Sequence, residues 1–137
     1  MKLVKISTKK VDPSNPPDGT WATYIEGAEV QIRKLNRQIV KALRDPFVTP
    51  VEEYDATLKI FVKKEKVDNE GFENAFNRYV VQNFKGFGDD DGYVLSDNDI
   101  SRKALLDNKE IGEFIINYAN AVEFIEEKKK GEEIKNS

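Results

Sequence analysis

The strongest constraint on the fold is a stripe near the end of the chain. Ile111, Phe114, Ile115, Tyr118, Ala119, Val122 and Ile125 recur at spacings of three and four for about four turns. A chain with that pattern must bury one helical face, so a helical layer is unavoidable. Lys128, Lys129 and Lys130 suit the negative end of this helix dipole, and Gly131 is expected to cap it. Phe72, Ala75, Phe76, Tyr79 and Val80 form a second stripe, which Phe84 continues before Gly86, Gly88 and Gly92 break the chain. Ile32, Leu35, Ile39 and Leu43 predict a third helix, ending near Asp45-Pro46. Tyr54, Leu58, Phe61 and Val62 predict a fourth, with Glu52 and Glu53 at its start and Lys63, Lys64 and Lys66 at its end. Ser96-Asp97-Asn98-Asp99 reads as a capping box opening a short helix with Ile100, Ala104 and Leu105.

The front of the chain reads differently. Residues 1–11 are expected to form a short strand, and Asp12 to Gly19, with three prolines, a loop. Ala28, Val30 and Ile32 alternate with Glu29, Gln31 and Arg33, the period of a half-buried strand. Gly27 supplies the turn back to Trp21–Ile25, so a hairpin is expected, with Trp21, Thr23 and Ile25 on the apolar face. A hairpin alone is marginal in water and needs cover. The fold class expected is therefore α+β and mainly helical, an N-terminal antiparallel hairpin or small sheet packed against about five helices. Residues 1–131 are read as one globular domain, and residues 132–137 as a flexible tail.

Composition narrows the chemistry. The 137 residues contain no Cys and no His, which removes disulfides, thiolate nucleophiles, the commonest metal ligand and the usual base near neutral pH. The net charge of −3 is uneven: residues 1–66 carry 13 basic and 9 acidic side chains, residues 67–137 carry 9 and 16. Lys and Glu are interspersed, so no basic stripe for nucleic acid emerges. No apolar run approaches a membrane span and the start is not a signal peptide, so the cytoplasm where it is made is the expected compartment.

Gly88-Asp89-Asp90-Asp91-Gly92 mimics the middle of a calcium loop. With Gly92 at its sixth position, however, Phe87 falls at the first and Asn98 at the twelfth, where carboxylates are required. An acidic turn whose side chains bond their own backbone is the simpler reading. Neither catalytic residue nor cofactor is expected.

Val80-Val81-Gln82-Asn83-Phe84-Lys85-Gly86-Phe87, Asp91-Gly92, Leu95-Ser96-Asp97-Asn98 and Leu105-Leu106-Asp107 follow in an order that resembles tail assembly chaperones of long-tailed phages and prophages. The front resembles them too, through Lys9, Lys10, Asp12, Pro13, Gly19, Trp21, Gly27-Ala28 and Asn36. Phe84 stands where that family favours Trp. The resemblance implies a non-enzymatic protein in the cytoplasm of a bacterial host that binds the tape measure protein and helps recruit tail tube subunits; the uneven charge of the two halves separately suits self-association by head-to-tail docking of copies. It marks Trp21, Phe84, Gly86, Asp91, Gly92 and Ser96 as structural motif positions. A groove between the helix of Phe72 and Phe76 and the last helix, with Phe114 and Tyr118, is the expected partner site. Two alternatives stay open: a virion component such as a head–tail connector or tail completion protein, and a calcium-binding regulatory module.

Overall fold

The alternation around Gly27 produces the expected hairpin. In the computed structural model, which describes residues 3–4 and 12–135 with side chains through Val122, β1 (Thr20–Ile25) pairs antiparallel with β2 (Ala28–Ile32), and Gly27 has φ +87°. The strand expected over residues 1–11 lies outside the described residues, apart from Leu3 and Val4, which are not in a strand. The register sets Ala22 against Val30 and Trp21 against Gln31. Ala22, Val30 and Ile32 therefore face the core together, while Trp21 turns to the opposite face, 42% exposed beneath the Lys85 ammonium at 5.0 Å. The expected apolar pairing of Trp21, Thr23 and Ile25 with that core face is corrected: Trp21 and Thr23 sit opposite Gln31 and Glu29, and the register slips between Thr23 and Ile25.

Asn36 caps α1 (Arg37–Arg44) by accepting the Ile39 N–H at 2.9 Å, and Ile39 and Leu43 are buried as their stripe requires. A 3-10 turn (Asp45–Phe47) then carries Pro46 in its first turn.

The helix expected through Tyr54, Leu58, Phe61 and Val62 is not formed. That stretch is a hairpin of two eight-residue strands, β3 (Val48–Asp55) and β4 (Ile60–Val67), in register throughout. Val48, Thr49, Val51, Ile60, Val62 and Val67 favour extended backbone, and Pro50 is tolerated because β3 is an edge strand. The Asp55 carboxylate accepts the Thr57 and Leu58 N–H groups at 2.8 and 3.0 Å, and Lys59 takes φ 55° to close the turn. Glu53 meets Lys64 across the ladder at 3.0 Å, so the acidic and basic clusters are cross-strand partners rather than helix-dipole residues.

α2 (Asn69–Val80) opens on Asp68, whose side chain accepts the Gly71 N–H at 3.0 Å. It stops at Val80, four residues short of Phe84, because Val81 turns extended and starts β5 (Val81–Lys85). β5 pairs with β2 and completes a three-stranded sheet in the order β1-β2-β5. α3 (Asp99–Asp107) begins at Asn98, which accepts the Ser101 N–H at 2.8 Å, so Ser96 is exposed and is not the cap. α4 (Lys109–Lys135) continues through Gly131, the expected cap, and through most of the expected tail.

Among the described residues there are thus four α-helices, not about five, and five strands in two sheets. With 41% helix and 30% strand, the mainly helical expectation is overturned. The core lies between the three-stranded sheet and the helices. Val30, Ile32, Val80, Val81 and Ile115 are its fully buried centre. Leu35 N–H donates to the Ala119 carbonyl at 2.9 Å, tying the exit of β2 to α4. The β3–β4 hairpin stands apart as a two-stranded sheet of its own.

Candidate functional site

The four aromatics expected to line a partner groove fall into two places. Phe72 and Phe76 pair with ring centroids 6.1 Å apart, half-buried against the core. Phe114 stands 5.4 Å from Tyr24 and 6.3 Å from Tyr118, with Phe87 closing on Tyr24 at 6.4 Å. α3 packs against both α2 and α4, and these two helices touch each other less. The aromatics therefore serve mainly as the flanks of the core.

The motif positions organise the β5 end of the sheet and the loop after it. Phe84 lies opposite Val30 and beneath the Arg102 guanidinium at 5.7 Å. Arg102, on α3, donates to the Val81 and Gln82 carbonyls at 2.8 and 3.1 Å and meets Asp97 at 2.6 Å. Its side chain is mostly buried, so it fastens α3 to the strand with a planar fork. Replacing Arg102 with Ala is expected to cost about 2–3 kcal/mol in urea unfolding, because two carbonyls lose a charged donor. Arg102→Lys is expected to recover less than half of that, since one ammonium cannot reproduce the fork.

The acidic loop closes on itself. Asp89 Oδ1 accepts the N–H groups of Asp91 and Tyr93, both at 2.9 Å, and Gly92 turns the chain at φ +85°. A bridge between Gly88 and Val94 makes the loop a small hairpin tip. Among the described residues no group of three or more acidic side chains could hold a metal ion. Asp99, on the far side of α3, receives Arg78 Nε at 2.7 Å, and that hydrogen bond holds its carboxyl below the usual range.

A cleft of about 350 Å³ opens between the proline loop, α1 and α2, walled by Pro16, Leu43, Pro46, Phe47, Ala75 and Tyr79. Its two cations are already engaged, Arg33 with the Pro17 and Tyr79 carbonyls and Arg78 with Asp99.

Exposed apolar side chains also gather at the tip of the β3–β4 arm, on both faces of its ladder. Tyr54, Leu58, Ile60 and Phe61 are 58%, 61%, 52% and 70% exposed. Tyr54 and Phe61 face each other across the ladder with centroids 5.4 Å apart. With strands roughly 27 Å long, the arm carries this cluster away from its base at Phe47 and Asp68. The arm is hidden in the sequence because Tyr54, Leu58 and Phe61 also fit one helical face; the β-branched residues around them are the contrary signal. Among the described residues no helix is long and apolar enough to cross a membrane. No protein-family model, curated protein or solved structure matches the chain.

Proposed function

We propose that this protein is a tail assembly chaperone of the phage type, a cytoplasmic binding protein that keeps the tape measure protein soluble and helps bring tail tube subunits to it. The carrying observation is the β3–β4 arm, where Tyr54, Leu58, Ile60 and Phe61 stay in solvent although a complete core exists a few turns away. Clustered exposed apolar side chains mark surfaces used by other proteins. A tape measure protein, with long hydrophobic helices, has a need for such a cover during assembly. The resemblance through Phe84-Lys85-Gly86, Asp91-Gly92 and Leu105-Leu106 supplies the identity of that partner. The half-buried aromatics Phe72, Phe76, Phe114 and Tyr118 act in this reading as the scaffold that holds the arm's base and the sheet, rather than as the groove itself.

Co-expression with the tape measure protein of the same phage or prophage tests this. The wild-type chain is expected to keep most of the tape measure soluble and to co-purify with it. Leu58→Asp/Phe61→Asp is expected to lose at least about tenfold in recovered complex, about 1.4 kcal/mol or more of binding, with the circular dichroism melt nearly unchanged. A tape measure that stays equally soluble with the double variant, or without the chain, overturns the proposal.

A further inference from the structure

The arm has two free sheet edges, and their hydrogen-bonding parity follows from one bond at its base. Asp68 N–H donates to the Phe47 carbonyl at 2.9 Å, one step beyond the Val48–Val67 pair. Pairs of antiparallel residues alternate between bonded and unbonded. Thr49–Lys66, Val51–Lys64, Glu53–Val62 and Asp55–Ile60 are then the bonded pairs. Val48, Pro50, Glu52 and Tyr54 point their backbone groups outward on β3, and Phe61, Lys63, Glu65 and Val67 do so on β4. Pro50 falling at an outward position agrees, since it has no N–H to give to the ladder.

The two edges are unequal. β3 is blunted by Pro50 in mid-edge, whereas β4 presents four complete residues. β4 is also complementary to itself. In antiparallel pairing about a two-fold axis at Lys64, Lys63 lies opposite Glu65 of the second copy, and Phe61 opposite its Val67. The neighbouring registers fail: a shift one way sets Lys63 against Lys63, the other Glu65 against Glu65. On the opposite sheet face the two Lys64 side chains meet at the axis, but each is held by its own Glu53 at 3.0 Å. Glu65 is available, its nearest cation being Arg44 at 3.9 Å.

We infer that β4 is a self-association edge, through which two copies of this chain join their arms into one four-stranded sheet ordered β3-β4-β4-β3. The two-stranded arm is marginal alone, and four strands remove that weakness. Because Pro50 blunts the arm's other edge, the pairing of arms closes as a two-fold dimer instead of growing into a fibre. Edge pairing uses backbone groups, so the side chains of Tyr54, Leu58 and Ile60 stay available above and below the sheet. The inference does not depend on what the arm binds.

The test is sedimentation of the full chain from about ten micromolar to about one millimolar, with amide exchange read residue by residue. The expected result is a dimer that grows with concentration, accompanied by protection of the outward Phe61, Lys63, Glu65 and Val67 amides. Lys63→Glu and Glu65→Lys are each expected to weaken the dimer about tenfold or more through two like-charge pairs, and the double variant to restore it. Lys63→Pro removes an outward N–H without costing the ladder a bond and is expected to give a monomer. Several results would overturn the inference. They are a monomer at the highest concentration, a dimer indifferent to Lys63→Pro, single charge variants that the double variant does not rescue, or outward amides protected only when another protein is added.

Discussion

Gly86→Ala is expected to destabilise the protein by about 3 kcal/mol or more, lowering the melting temperature by about 10 °C. Two effects add. Gly86 has φ +82°, a backbone state that an L side chain adopts at a cost of about 1 kcal/mol. A Cβ at Gly86 would also drive into the Gly27 carbonyl oxygen and stand 2.9 Å from the Ala28 Cα, and neither neighbour is a flexible side-chain end. Backbone would have to move at the point where β5 leaves the sheet. Gly27→Ala separates the two terms. Gly27 has φ +87° with open space around its missing Cβ, so only the conformational cost of about 1 kcal/mol is expected. Urea unfolding of both variants checks the contrast. Equal effects would mean that the turn at Gly27 and the end of β5 are not in contact.

The β1–β2 hairpin was legible in the sequence because alternation at Ala28, Val30 and Ile32 coincides with a glycine turn, two independent signals in agreement. α1, α2 and α4 are legible because apolar residues recur along each at helical spacing, although Ile32 and Leu35, read into the α1 stripe, fall in β2 and in the connection after it. The β3–β4 arm was not, because Tyr54, Leu58, Phe61 and Val62 satisfy a helical period while also fitting two strands around a turn. Residues on a solvent-exposed arm have no buried face to enforce one period. Phe84 misled for a related reason: α2 gives way to β5 at Val80-Val81 without a Gly or Pro, so the stripe runs unbroken across a change of structure. At the candidate site, Phe72, Phe76, Phe114 and Tyr118 were visible as aromatic stripes, yet periodicity alone does not separate a core flank from a groove.

Ile115→Ala is expected to cost about 2–5 kcal/mol, a sizeable share of the roughly 5–15 kcal/mol that holds a domain of this kind together. Ile115 is fully buried in the second turn of α4, facing the core shared with Val30, Ile32, Val80 and Val81. Truncation there leaves a cavity whose walls come from a sheet and several helices, which can collapse only partly. Phe61→Ala removes a larger side chain, yet its expected cost is about 1 kcal/mol or less, mostly the lost edge contact with Tyr54. Thermal melts of the two variants measure the difference directly. The reasoning behind it bears on function: a phenylalanine that is 70% exposed gains the fold little, so its presence on an arm is better accounted for by contact with another molecule. A loss of stability at Phe61 as large as that at Ile115 would mean the arm is packed into the body, and the case for a partner-facing surface there would fail with it.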